Sequence, residues 1–225
     1  MRWHCLHLIF IIAITSLLLS GCTAQPNSLD PYAALNKANY NFNKSLRRQF
    51  NIKNCTPAKP PSLGIIAIRN ALGNIGEFSN MINDVLQLNG KAFLIHFWRL
   101  TLNTTIGLGG LFDPASDLGL ANFDNDFSLT LAVYSNSIDE EYLVLPFRGP
   151  TTSRQVFAMP FNFILNPFFF IDIGSARYIR IPLKIVSREK PDYQTCPRQN
   201  DTYSGEREAY LQYRRQIVTE HLQRQ

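Results

Sequence analysis

Apolar residues return along most of the chain at helical intervals. Asp30-Pro31 is a cap followed by a proline, a pairing that opens helices, and Leu35, Ala38, Phe42 and Leu46 then predict a helix running to about Phe50. Pro57, Pro60 and Pro61, within Asn54 to Ser62, end it. From Gly64, residues Ile65, Ile68, Leu72, Ile75, Ile82 and Leu86 keep one face apolar while Asn70, Asn74, Asn80 and Asn83 populate other faces. Continuous through Leu88, this helix measures about 37 Å at ~1.5 Å per residue, more than twice the ~15 Å depth of one hydrocarbon leaflet. In a leaflet it must lie tilted or flat, or bend at Gly73 and Gly76. Asn89-Gly90 closes it. Lys91 to Thr105 predicts another helix, rich in Phe93, Leu94, Phe97, Trp98, Leu100 and Leu102 and interrupted by His96 and Arg99. A base in so apolar a stretch calls for water, a headgroup or a carboxylate.

Asp113-Pro114 opens a short helix by the same capping logic. Val156 to Ile171 holds 12 apolar residues among 16, but Pro160, Pro167, Asn162 and Asn166 cut it into pieces too short to cross a bilayer and suited to lying at an interface. Arg177 to Lys190 alternates cations with Ile, Leu and Val, as either basic heads over an apolar footing or a half-buried segment with snorkelling arginines. A last helix spans about Tyr203 to Leu222, with Tyr210, Tyr213 and Ile217 on one stripe and Leu211, Val218 and Leu222 beside it. The fold class is mainly α, with no internal repeat.

The first segment alters this picture. Arg2 precedes an apolar run from Leu6 to Leu19, the basic and hydrophobic parts of an export signal. Leu18-Leu19-Ser20-Gly21-Cys22 then resembles the lipobox of bacterial lipoproteins, whose cysteine is diacylated and becomes the mature N-terminus. Thr23 stands where lipoproteins kept at the inner membrane commonly carry Asp, so the resemblance implies sorting to the outer membrane. Three parts follow: residues 1–21 as signal peptide, 22–29 as acylated N-terminus and polar tether, and 30–222 as one domain. Among 225 residues, 45% are apolar and 17% charged with a formal charge of +5, which excludes a disordered or acidic protein. Removing residues 1–21, whose one base is Arg2, leaves +4, too mild to select a polyanion partner.

Several segments then coincide in order with one family. Asp30-Pro31-Tyr32 with Asn36 and Asn41-Phe42-Asn43 come first, followed by Arg99, Asn103 and the run from Gly107 through Asp113-Pro114-Ala115-Ser116. Next are Asp126-Phe127 with Thr130-Leu131, Tyr142-Leu143-Val144-Leu145-Pro146 with Gly149-Pro150 and Arg154, and Asp201, Tyr203, Arg207 with Ala209-Tyr210-Leu211-Gln212. Together, from about Leu29 to Gln212, they resemble the MlaA (VacJ) family of outer-membrane phospholipid-transport lipoproteins. The resemblance implies a ring-like helical domain embedded in the inner leaflet of the outer membrane, with short amphipathic helices around a central channel. It implies trimeric porins as partners and phospholipid as substrate, withdrawn from the outer leaflet and passed to the periplasmic carrier MlaC. It also implies that no chemistry is performed on the lipid. The chain departs from the family at Glu140-Glu141, where Gly-Pro is usual, and at Ser128, Ala132 and Gln155.

On that resemblance, Gly107, Gly109 and Gly110 are candidates for a loop that lines or gates the lipid path; close helix packing and a turn are the alternative. Asn41, Phe42 and Asn43 could line the same channel or be one polar stripe of a helix, and Arg99 and Arg154 could contact phosphate or pair with Asp113, Asp117 or another carboxylate. Cys55 and Cys196 are the thiols left once Cys22 is acylated, and an oxidising compartment predicts that they form a disulfide closing a 141-residue loop. Enzymatic signatures are missing: the mature sequence has only His96 and His221, with no Gly-x-Ser-x-Gly or His-Glu-x-x-His, and Asp124/Asp126 and Glu140/Glu141 read as exposed loop acids. No cofactor, metal or nucleic acid is expected. The rival functions are an envelope scaffold, which needs no amphipathic opening, and a lipid hydrolase, which needs a nucleophile beside a base.

Overall fold

The computed structural model describes residues 30–50, 62–166 and 202–225. Cys22, Cys55, Cys196 and the basic segment 177–190 lie outside the described residues. Helix α1 (Ala33–Gln49) is followed by α2 (Leu63–Leu86) and α3 (Gly90–Thr105), then the short α4 (Pro114–Asp117) and α5 (Phe127–Ser135). Strands β1 (Tyr142–Leu145) and β2 (Gly149–Thr152) lead into α6 (Ser153–Ile164), and α7 (Tyr203–Leu222) closes the chain. The structure is mainly helical, as the periodicity predicts, with one addition. The two strands pair antiparallel from Tyr142 opposite Thr152 to Leu145 opposite Gly149, too short a hairpin to leave an alternating pattern.

Helix α2 runs unbroken through Gly73 and Gly76, about 36 Å at ~1.5 Å per residue. Leu88, at φ +58, turns the chain, and α3 returns along α2, so that Arg99 meets Glu77 and Thr104 meets Asn74. Asn89 caps α3 by accepting from Ala92 N, while Asp113 and Asp126 cap α4 and α5 from their side chains. Asp30 does not cap α1, contrary to the Asp-Pro expectation. Its carboxylate accepts from Asn36 Nδ2 at 3.1 Å and from the Tyr203 hydroxyl, tying α1 to α7. Pro160 does not end α6 either. The turn beyond it is held by Phe161 stacked on Phe127, centroids 4.4 Å apart, and by Asn162 Oδ1 accepting from Phe127 N at 2.8 Å.

Two small apolar clusters lie inside. Tyr40, Tyr142, Val144 and Tyr210 join α1, β1 and α7; Leu129, Ala132 and Val218 join α5 to α7. Elsewhere the layering is inverted. On α2 the buried residues are Asn74, Glu77, Asn80, Asn83 and Asp84, and on α3 they are Ala92, His96, Arg99 and Asn103. The apolar stripes turn outward: Ile65, Ile66, Ile68, Phe78 and Val85 on α2 and Leu94, Phe97 and Trp98 on α3 are exposed. Helix α1 repeats the pattern, burying Asn36, Tyr40 and Asn43 while exposing Leu35 and Phe42. Among the described residues no helix is long and apolar enough to cross a membrane.

Candidate functional site

The polar interior between α2 and α3 is a connected network. Arg99 is buried and engaged at each guanidinium nitrogen: Nε donates to Glu77 Oε1 at 2.8 Å, one Nη to Ser116 Oγ (3.1 Å) and the Leu120 carbonyl (2.9 Å), and the other to both oxygens of Asp113 at 3.1 Å. Asn103 donates to Asp113 Oδ1 at 2.9 Å and accepts from Ala115 N. Partial burial pushes the Asp113 carboxyl up, but the bonds from Ser116, Asn103 and Arg99 outweigh it and hold its pKa below the usual range. Of the partners open to Arg99 from sequence, the one present here is the carboxylate pair Asp113 and Glu77.

Deeper in, Asn125 bridges three residues of α2 and its C-terminal turn. Its backbone N donates to Asn80 Oδ1 at 3.0 Å and its Nδ2 to Asp84 Oδ1 at 2.7 Å, while Gln87 Nε2 donates to Asn125 Oδ1 at 2.9 Å and Thr130 Oγ1 at 2.7 Å. His221 from α7 meets Gln87 Oε1 at 2.9 Å. Beside them the fully buried His96 packs its ring against Phe123 and holds Nδ1 at 3.5 Å from Glu77 Oε2 and 3.6 Å from Asp84 Oδ2, just beyond hydrogen-bond range. Burial pushes His96 down to about 4, with Arg99 adding to the effect, and pushes Asp84 up to about 6, with Glu77 adding to it. At neutral pH, His96 is therefore uncharged.

A second construction joins α1 to the hairpin. Asn36 Oδ1 accepts from Val144 N at 2.8 Å and its Nδ2 donates to the Tyr142 carbonyl at 2.9 Å; Asn39 donates to the Val144 carbonyl at 2.7 Å. Asn43 donates to the Leu145 carbonyl at 2.9 Å and accepts from Phe147 N at 2.7 Å. Three amides on one helix face thus stand in for a third strand along the free edge of β1. Of the candidates Asn41, Phe42 and Asn43, only Asn43 belongs to this ladder. Asn41 and Phe42 point outward, and Phe42 meets Phe147 edge-on at 5.1 Å.

Glu140 corrects the expectation of exposed loop acids. Its side chain is buried and accepts from Arg154 at 3.1 Å and from Arg214 at 2.9 and 3.1 Å, binding the hairpin, α6 and α7 together. Arg154, the other candidate for phosphate, also donates to the Ser137 and Asp139 carbonyls. The glutamate stands in plain view in the sequence, but its two arginine partners are 14 and 74 positions away and no local pattern signals them.

The three candidate glycines fall in one loop, residues 106–112, between the Arg99–Asp113 pair and α2. Leu108, Gly109 and Gly110 have φ of +53, +74 and +88. A Cβ on Gly107 would come within 2.5 Å of the Asn103 and Phe112 carbonyl oxygens, one on Gly110 within 2.5 Å of Asn74 Cβ, and one on Gly109 would touch nothing. The glycines therefore serve both close approach and left-handed turns, and the loop carries Ile106, Leu108 and Phe112 exposed.

These features define a class: a helical protein that buries amides and ion pairs and shows its aliphatic and aromatic side chains to the surroundings. A family model for the MlaA lipoprotein matches residues 28–217, and the chain belongs to that family. It is 34% identical over 159 residues to a protein of Rickettsia bellii, covering 66% of this chain and 58% of that one. It is 31% identical over 156 residues to the intermembrane phospholipid transport system lipoprotein MlaA of Escherichia coli, covering 64% of this chain and 61% of that one. The Haemophilus influenzae lipoprotein of the same description is 29% identical over 158 residues, with 64% and 61% covered. The chain thus spans about three fifths of the length of these relatives. A chain solved in work on the structural basis for maintenance of bacterial outer membrane lipid asymmetry superposes with a TM-score of 0.57 at 22% identity, over 85% of this chain and 100% of that one, and shares the fold.

Proposed function

We propose that the protein is the outer-membrane lipoprotein of an intermembrane phospholipid transport system, anchored through acylated Cys22 and seated in the inner leaflet. It withdraws misplaced phospholipid from the outer leaflet through an amphipathic opening, beside a trimeric porin, and hands it to a periplasmic carrier such as MlaC, making and breaking no covalent bond. The observation that carries this reading is the inverted layering. Among the described residues, 26 large apolar side chains are exposed against ten buried apolar ones, far beyond the scattered exposure of a water-soluble surface. A fully exposed side chain of this size left in water forgoes ~1.5–3 kcal/mol, and these partly exposed ones a fraction of it each, a loss that acyl chains around the belt would remove.

Polar groups on the outer face of α3 fit the same surroundings. Thr101 and Thr105 turn their hydroxyls back onto the Phe97 and Thr101 carbonyls at 2.8 and 2.7 Å, so neither depends on water. At about 36 Å, α2 is too long to stand upright in one leaflet of ~15 Å and lies inclined. Family membership and the descriptions of the Escherichia coli and Haemophilus influenzae relatives support phospholipid as the cargo. A wet interior spares the headgroup the passage through hydrocarbon while the tails keep to apolar walls.

Deleting the gene should raise surface-exposed phospholipid; the native chain should restore the low level, and Cys22→Ala should not. A deletion strain with normal surface lipid would favour a scaffold, and ester hydrolysis by purified protein would overturn the reading toward an enzyme.

A further inference from the structure

The hairpin ends in a turn that glycine would make with less strain. Arg148 N donates to the Pro146 carbonyl at 2.8 Å, closing a three-residue turn on Phe147, whose φ is +63. Such a turn is strained for any side chain and most of all for a bulky one. Gly149 takes φ +92 freely, but at 147 the chain places a phenyl ring, and that residue is 81% exposed. Asn43 of α1 fixes the geometry, donating to the Leu145 carbonyl at 2.9 Å and accepting from Phe147 N at 2.7 Å.

Helix α1 carries this surface onward. It runs beside β1 in the same direction, Asn36 at Tyr142 and Asn43 at Leu145, so its last turns and the hairpin tip share one end of the protein. Helical spacing continues the stripe from Phe42, which meets Phe147 edge-on, through Leu46 to the exposed Phe50. Residues 33–50 and 142–152 contain no acid; their charges are Lys37, Lys44, Arg47, Arg48 and Arg148. Glu206 of α7 meets Arg47 at 3.9 Å, and Lys37 and Lys44 lie over the Tyr203 and Tyr40 rings, while Arg48 and Arg148 are exposed.

We propose that this end is a docking site for an anionic phospholipid surface, with Phe42, Phe50 and Phe147 entering between the lipids and Arg48 and Arg148 held at their phosphates. It rests on the reading above only in seating the chain at a membrane. Aromatic rings favour the headgroup boundary, and each base placed there gains from negative lipid. Five charges of one sign on two elements suit a continuous negative layer better than a protein surface of mixed sign, and a second copy would set like charges face to face. The strained turn then has a use, because it presents the Phe147 ring already in its inserted position.

The test uses the acylated chain beginning at Cys22 and carrying Trp98→Phe, in which Phe147→Trp or, separately, Phe50→Trp supplies the only indole. The protein is reconstituted into phosphatidylcholine vesicles holding a minority of brominated phosphatidylglycerol or, for comparison, brominated phosphatidylcholine. At low salt, brominated phosphatidylglycerol should quench either indole about threefold or more as strongly as brominated phosphatidylcholine. The preference should disappear in Arg48→Gln/Arg148→Gln and in ~0.5 M salt. Equal quenching by the two lipids overturns the site, and so does quenching by neither, which puts the tip in water or against protein. The native chain, whose half-exposed Trp98 lies on the apolar face of α3, separates the two readings: quenching of Trp98 by both lipids keeps the membrane seat when the tip fails, and an unquenched Trp98 removes both.

Discussion

Replacing Asp84 with Asn should make the protein more stable, and only above a defined pH. Asp84 is fully buried; its Oδ1 accepts from Asn125 at 2.7 Å, its Oδ2 accepts no hydrogen bond, and Glu77 lies two helical turns earlier on the same buried face. Arg99 spends its charge on Glu77 and Asp113, so nothing compensates Asp84 directly. Burial, aided by Glu77, lifts its pKa from 3.8 to about 6, and at ~1.4 kcal/mol per pH unit of displacement the ionised group withholds up to about 3 kcal/mol from the folded state. The folded state binds the extra proton between these two values. Wild-type stability from this group therefore falls as pH rises from about 4 to 6 and is level above that. In Asp84→Asn the new amide oxygen keeps the bond from Asn125, no charge is buried, and the new amide nitrogen can donate to neutral His96 Nδ1. The gain over wild type should be near zero at pH ~4, grow through pH ~6, and reach about 3 kcal/mol at pH ~7.5, roughly 6–12 °C in Tm for a chain of this size. Thermal unfolding in mild detergent across this pH range measures it. A difference that is constant with pH, or a variant less stable at the alkaline end, refutes the reasoning.

Three further outcomes follow from the same contacts. Glu140→Gln leaves Arg154 and Arg214 buried without their shared counter-charge and should cost about 3–5 kcal/mol, read as a lower urea midpoint; a loss under about 1 kcal/mol would show the arginines find other partners. Asn36→Ala strips bonds from Val144 N and the Tyr142 carbonyl and should cost about 2–4 kcal/mol in the same urea titration, whereas Asn41→Ala, on the exposed face, should stay within about 0.5 kcal/mol. Gly107→Ala drives a methyl into two backbone oxygens and should lower protein abundance. Gly109→Val meets no atom but opposes φ +74, so it should disturb surface lipid with abundance retained; equal abundance loss in both would make packing the whole role of the loop.

Much of the helical layout is legible in the residues. The Asp113-Pro114 cap, the Asn89-Gly90 boundary and the last helix all sit where local chemistry places them, because caps and periodicity act over a turn or two. The facing of α1 and α2 is not legible. Periodicity marks two stripes, and which one turns inward depends on the surrounding solvent, which no spacing encodes. Asp30 is the same lesson at one residue: an Asp-Pro pair favours a cap, and a tyrosine 173 positions later claims the carboxylate instead. Pro160 carries a local penalty that the packing of Phe161 and Asn162 on α5 overrides. The asparagines of α1 stand out in the sequence, but their partners in β1 lie more than 100 positions away, and only the folded chain brings them together.

The inside-out layering also reverses the usual expectation of where this chain can drift. With the chain seated in a leaflet as proposed, a Phe or Ile on the outer belt would face fluid hydrocarbon that moulds to any contour, so one oily residue could be traded for another with little penalty. An inward Asn meets its partner at a set reach and angle, and even Gln, one methylene longer, would miss it. Heritable variation should therefore gather among the greasiest positions, and substitution tables drawn from water-soluble proteins would misjudge both halves of the molecule.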